Sequence, residues 1–149
     1  MKRKAFLISA ALLIAMCDPG PDPDRCAISD PDKLIEITYP RGGESFRHGQ
    51  DVKIQWKADT LDLSSIGIQY SLNGGPWRFV SGNSIPIIPD GSEAACMEYK
   101  WKIGGEWEEE GEYEPGEYSL PDSARIRIFD YQDQQGTYDT TETFFIKAN

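Results

Sequence analysis

The chain contains one histidine and three cysteines, and no two of the cysteines are spaced as a CxxC pair. A single imidazole with scattered thiols does not build the usual metal sites, which draw several such ligands from close spacings. The same scarcity argues against nucleophilic catalysis, because a Ser-His-Asp or Cys-His arrangement needs its base beside a nucleophile. His48 lies in the turn-like stretch "RHGQ" and reads as a solvated loop residue. Cations are also scarce: Lys and Arg number 15 against 25 Asp and Glu, a formal charge of −10. That balance argues against a nucleic-acid partner, since phosphate binding rests on Lys and Arg. No apolar run approaches the roughly 20 residues that a membrane-crossing helix needs. Past residue 33, no window carries a clean helical period. Carboxylate pairs of the kind glycosidases use arise by chance on so acidic a surface. The expectation is a non-enzymatic chain with no cofactor.

What is present begins with "MKRK", a basic cluster, followed by the uncharged apolar residues 5–16, "AFLISAALLIAM". A basic start plus a short apolar run is the pattern of a secretory signal. Residues 1–16 are therefore read as a signal peptide, and the protein as exported. Cys17 follows at once. The stretch "LIAMC" resembles the lipobox of bacterial lipoproteins, in which the cysteine is lipidated and becomes the mature N-terminus. Leu13, Ile14 and Ala15 fit it, whereas Met16 stands where Gly, Ala or Ser is usual. The resemblance implies an extracytoplasmic lipoprotein of the cell envelope anchored through Cys17; a soluble secreted or periplasmic protein is the alternative. Acyl chains contribute about 0.8 kcal/mol per buried methylene, so several on one cysteine anchor firmly. Loss of Lys2, Arg3 and Lys4 with the leader takes the formal charge from −10 to −13. Residues 17–32, rich in Pro and Asp, read as a stiff, self-repelling tether.

With Cys17 lipidated or unpaired, Cys26 and Cys96 remain as an even pair in an oxidising compartment, which predicts a disulfide. If the signal is not cleaved before Cys17, the pairing is open.

From residue 33 to 149 a two-residue period dominates. "DVKIQWKA" alternates Val52, Ile54 and Trp56 with polar neighbours, and "SIGIQYSL" sets Ile66, Ile68, Tyr70 and Leu72 on one face. "MEYKWKI" does the same with Met97, Tyr99, Trp101 and Ile103, "ARIRIF" with Ala124, Ile126 and Ile128, and "TFFIK" with Phe144 and Ile146. Such alternation marks half-buried strands. With "LIEITYP" there are about seven, separated by turn signals such as Asn73-Gly74, and together they predict an all-β antiparallel sandwich. The short piece "ESF" fits between two glycine turns and is expected to cross from one sheet to the other.

"YPRGGESFRHGQDVKIQW", "IQYSLNGGPWRFV" and "ARIRIFDYQDQQGTYDTTETFFI" together resemble the immunoglobulin-like domain of Ser/Thr-rich, GPI-anchored fungal cell-wall proteins. The same domain occurs in fungal β-glucan-assembly proteins and in bacterial surface proteins. The resemblance implies a non-catalytic, extracytoplasmic sandwich of the immunoglobulin or fibronectin-III type, and it transfers no catalytic residue. The chain departs from the pattern in a long insertion between Ile103 and Ala124 and in having no GPI-type apolar tail.

Three further stretches carry patterns that invite a chemical reading. "SLNGGPW" approximates the Asp-box hairpin of sialidase-like propellers, but Asn73 replaces the Asp and the motif occurs once, so it reads as structural. "DYQDQQGTYD" invites an EF-hand reading, yet Gly136 and Thr141 stand where the pattern needs other residues, and a hydrophilic hairpin loop is the better account. "GGEWEEEGEYEPGEYSL", residues 104–120, is longer than a sandwich turn requires. Its Trp107, Tyr113 and Tyr118, set among glutamates, are the candidate ligand-binding residues. The partner expected is a protein or a polysaccharide of the cell envelope, with exposed coplanar aromatics favouring sugar and a more buried set favouring protein.

Overall fold

The computed structural model describes residues 23–88, 91–104 and 122–147. Ten strands run β1 (Ile35–Tyr39), β2 (Ser45–Arg47), β3 (Asp51–Asp59), β4 (Ser65–Leu72), β5 (Arg78–Phe79), β6 (Ile85–Pro86), β7 (Ala94–Lys102), β8 (Asp122–Asp130), β9 (Tyr138–Thr140) and β10 (Phe144–Lys147). They form two packed sheets. One has the order β1-β3-β7; the other has the order β2-β10-β8-β4-β5, with β6 on β4 and β9 on β8. This is an immunoglobulin-like, fibronectin-III-type β-sandwich.

The alternation seen in the sequence is what fills the space between the sheets. Val52, Ile54 and Trp56 of β3 and Trp101 of β7 meet Ile66, Ile68 and Tyr70 of β4 and Ala124, Ile126 and Ile128 of β8. Phe144 and Ile146 of β10 and Phe46 of β2 close one side, with Phe46 edge-on to both Phe144 and Tyr39. Because the strand period is two, one residue of slip in any of these strands would turn its apolar set to solvent, and this fixes the register.

The pairing is antiparallel except at one place. β2, the "ESF" piece, leaves the sheet of β1 and runs parallel to β10, with Phe46 opposite Ile146. Gly42 and Gly43, both at positive φ, make the redirection. A side chain at Gly42 would also meet Glu142 Cβ at 2.5 Å. The last strand of the second sheet is split in two. Thr141 sits at the break, where its N–H donates to Ile126 C=O and its Oγ1 accepts from Ile126 N–H. The stretch 131–137 joins β8 to β9 as a hairpin loop, in which Asp133 accepts from Gly136 N–H. The other hairpin has Asn73 and Gly74 at φ 50° and 70°, the left-handed conformation that Asn and Gly tolerate best.

Cys26 and Cys96 form a disulfide with their Cα atoms 5.1 Å apart, closing a sequence separation of 70 residues. Cys96 lies within β7. The stretch that follows Cys26 crosses the outer face of the β1-β3-β7 sheet. Lys57 donates to Ala27 C=O, and Ser29 N–H donates to Glu36. His48 is half-buried rather than solvated, and a side chain at Gly104 would strike its ring at Nε2.

Candidate functional site

Each sheet turns one face to the core and one outward, and the two outer faces differ in kind. On the β1-β3-β7 sheet the outward side chains include three ion pairs: Lys53 with Glu98, Lys57 with Glu36, and Lys100 with Asp51. The hydrogen bond from Lys53 draws the Glu98 carboxyl below its ordinary value, and that from Lys100 does the same for Asp51. Partial burial pushes Glu36 up, but the Ser29 N–H and the Lys57 ammonium outweigh it, and the net direction is down. This face is neutralised and solvated.

The outer face of the other sheet carries rings. Register sets Gln69 of β4 opposite both Phe79 of β5 and Arg127 of β8, and Phe129 of β8 opposite both Gly67 and Tyr138. Arg127 stands at the centre of the cluster. Its guanidinium carbon lies 5.0 Å from the Trp77 ring, 5.4 Å from Phe129 and 5.6 Å from Tyr138. Cation–π contacts of this kind contribute about 0.5–2 kcal/mol each, more as water is excluded. One guanidinium nitrogen donates to Gln69 Oε1 at 2.6 Å, while Nε is buried with no hydrogen-bond partner among the described residues.

Phe129 faces away from the core yet is 0% exposed. The tip of its ring rests on Gly67, where an added Cβ would lie 2.3 Å from Cζ. Glycine is required there because the ring occupies the space of a side chain, a cross-strand cover that also shields the weak point glycine makes in a sheet. Phe79 meets Phe129 edge-on and Tyr131 lies nearly parallel to it, at interplanar angles of 64° and 17°. Around this buried centre Phe79, Tyr131 and Tyr138 remain 41%, 39% and 52% exposed. A cluster of large rings open to solvent on one rigid sheet is an unusual surface for so charged a chain.

Of the residues singled out from the sequence, Cys26 and Cys96 are joined. Cys17, Trp107, Tyr113 and Tyr118 lie outside the described residues. The aromatic face was not foreseen, though it left a trace: in "ARIRIFDY" the alternation assigns Phe129 and Tyr131 to the polar side of the strand. Among the described residues no group of three or more His, Cys, Asp or Glu side chains is placed to hold a metal ion. The site offers ring faces, ring edges and one clamped cation. These suit binding and supply no paired acid and base. The chain matches no protein-family model, and no curated protein is significantly similar to it.

Proposed function

We propose that this chain is a non-catalytic, extracytoplasmic binding module, anchored through a lipid on Cys17, that engages a protein partner through the aromatic face of its larger sheet. The carrying observation is the convergence of Trp77 and Tyr138 on Arg127, and of Phe79 and Tyr131 on the adjoining Phe129. Trp, Tyr and Arg are the residue types that dominate binding energy at protein interfaces. The arrangement favours protein over sugar, because the ring nearly parallel to Tyr131 is the buried Phe129. The signal-like leader and the lipobox-like "LIAMC" support export and anchoring. The chain also arrives at Cys26 on the outer face of the opposite sheet, so a tether from that side leaves the aromatic face pointing away from its anchor.

The test is site-specific photocrosslinking in the native envelope, with the photoreactive residue at Phe79, Tyr131 or Tyr138, and at Glu36 or Thr38 of β1, on the opposite sheet, as controls. One recurrent protein adduct is expected from the aromatic face and none from the controls. Adducts from the control face alone would defeat the reading. So would loss of binding on a glycan array through Tyr138→Ala, which would assign the face to polysaccharide. Mass spectrometry of the membrane fraction should show an acylated peptide beginning at Cys17, and a soluble, unmodified form cleaved elsewhere would remove the anchor.

A further inference from the structure

A sheet edge exposes backbone donors and acceptors, and natural proteins blunt it with short strands, bulges, prolines or side chains that take the free groups. Most edges here are blunted in those ways. β2 has three residues and β5 two. β1 has a register break between Ile37 and Tyr39, ends at Pro40, and gives its outward Ile37 N–H to the Asp139 carboxylate at 2.8 Å. Lys33 holds that carboxylate in place from the other side.

β7 is different. It pairs with β3 without a break over nine residues, from Asp51↔Lys102 to Asp59↔Ala94. It contains neither Pro nor Gly. The ladder's phase follows from its two ends, where Thr60 N–H donates to Glu93 C=O and Ile103 N–H donates to Gln50 C=O. Ala95, Met97, Tyr99 and Trp101 therefore direct their backbone groups to β3. Ala94, Cys96, Glu98, Lys100 and Lys102 direct theirs to the open edge. The Ala94 carbonyl accepts from Ser92 Oγ. Beyond it, no backbone group on this edge from Cys96 to Lys102 has a hydrogen-bond partner among the described residues.

We propose that this edge pairs with β7 of a second copy, antiparallel about a two-fold axis at Tyr99, to make one continuous sheet across the dimer. This inference rests on the strand edge and is independent of the aromatic face. Register selects the occupant. With the axis at Tyr99, Glu98 stands opposite Lys100 of the second copy and Cys96 opposite its Lys102, and every outward N–H and C=O from Cys96 to Lys102 is paired. Opposite charges directly across such a pair stabilise it, and like charges destabilise it. Shifting the axis to Glu98 or to Lys100 sets that residue against its own copy. On the core side Tyr99 meets its counterpart and Met97 meets Trp101 of the second copy. Met97 and Tyr99 are the large apolar residues of this strand that are only half-buried.

The test is the solution mass of the full chain, with its disulfide intact, by light scattering and sedimentation across a concentration series. The wild type is expected to reach twice the monomer mass. Glu98→Lys and Lys100→Glu each set like charges opposite one another in the self-pair and are expected to remain monomeric alone. Mixed in equal amounts they present opposite charges at both positions, and the dimer mass should return. Glu98→Pro removes one outward N–H while leaving the β3 ladder intact, so it should be monomeric whatever it is mixed with. Circular dichroism confirms that each variant is folded. A wild type that stays monomeric to its solubility limit overturns the proposal. So do single charge variants that still dimerise alone, or a mixture that fails to restore the dimer.

Discussion

Gly67→Ala is the smallest change that tests whether the aromatic face is a packed unit. The methyl group would start 2.3 Å from Phe129 Cζ and 2.8 Å from both Cε atoms. Carbon atoms in contact sit at about 3.5–4.0 Å, so the ring tip must retreat by roughly 1.2–1.7 Å. It has little freedom to do so, being bounded by Phe79, Tyr131 and the Arg127 guanidinium. Overpacking by one methyl group typically costs about 1–3 kcal/mol. Replacing glycine inside a strand recovers about 0.5–1 kcal/mol of backbone entropy. The net expectation is a loss of about 1–2 kcal/mol, or about 4–8 °C in Tm for a domain of this size. Thermal unfolding by circular dichroism measures it, and the near-ultraviolet signal should fall as the ring leaves its seat. A double-mutant cycle isolates the cause. In a Phe129→Leu background the shorter side chain leaves room, and Gly67→Ala should become neutral or stabilising. An equal cost in both backgrounds would refute the contact argument, as would a wild-type Tm for Gly67→Ala alone.

The Cys26–Cys96 bridge closes a separation of 70 residues, and the chain-entropy treatment assigns a loop of that length about 4 kcal/mol. The double Cys26→Ser/Cys96→Ser variant should lose stability of that order in urea titration, and non-reducing peptide mapping should recover the linked pair from wild-type protein. Acid should weaken the domain in a defined direction. The carboxyls of Glu36, Glu44, Asp51 and Glu98 all lie below their ordinary values. For Glu44, partial burial pushes upward but is outweighed by backbone N–H donors, among them those of Arg41 and Gly42. Lowered carboxyls give stability that is fully present above their unfolded values and lost as pH falls through their folded ones. Urea midpoints should therefore be flat above about pH 5 and decline below it, and a midpoint that rises on acidification would contradict the assignment.

The sandwich was legible because alternation is a local property. In β3, β4, β8 and β10 every second residue is apolar over a long enough run to reveal its inward face, and Asn73-Gly74 announces its own hairpin. The disulfide was legible because two cysteines remained once Cys17 was set aside. The shorter strands were not legible: β5, β6 and β9 are two or three residues long, too few to display a period, and they exist because β4 and β8 offer them ladders. The half-burial of His48 is not legible because nothing in "RHGQ" shows that Gly104 lies against its ring. The aromatic face is not legible for the same kind of reason. Trp77, Phe79, Gly67, Arg127, Phe129, Tyr131 and Tyr138 come from separate strands and loops, and each alone is an ordinary surface residue or glycine. Sequence determines which face of a strand a side chain takes, since that depends only on its parity within the strand. Which strands lie side by side, and hence that Phe129 lands on Gly67 and Arg127 beneath three rings, is decided by cross-strand register, and register is set by the burial of the opposite face.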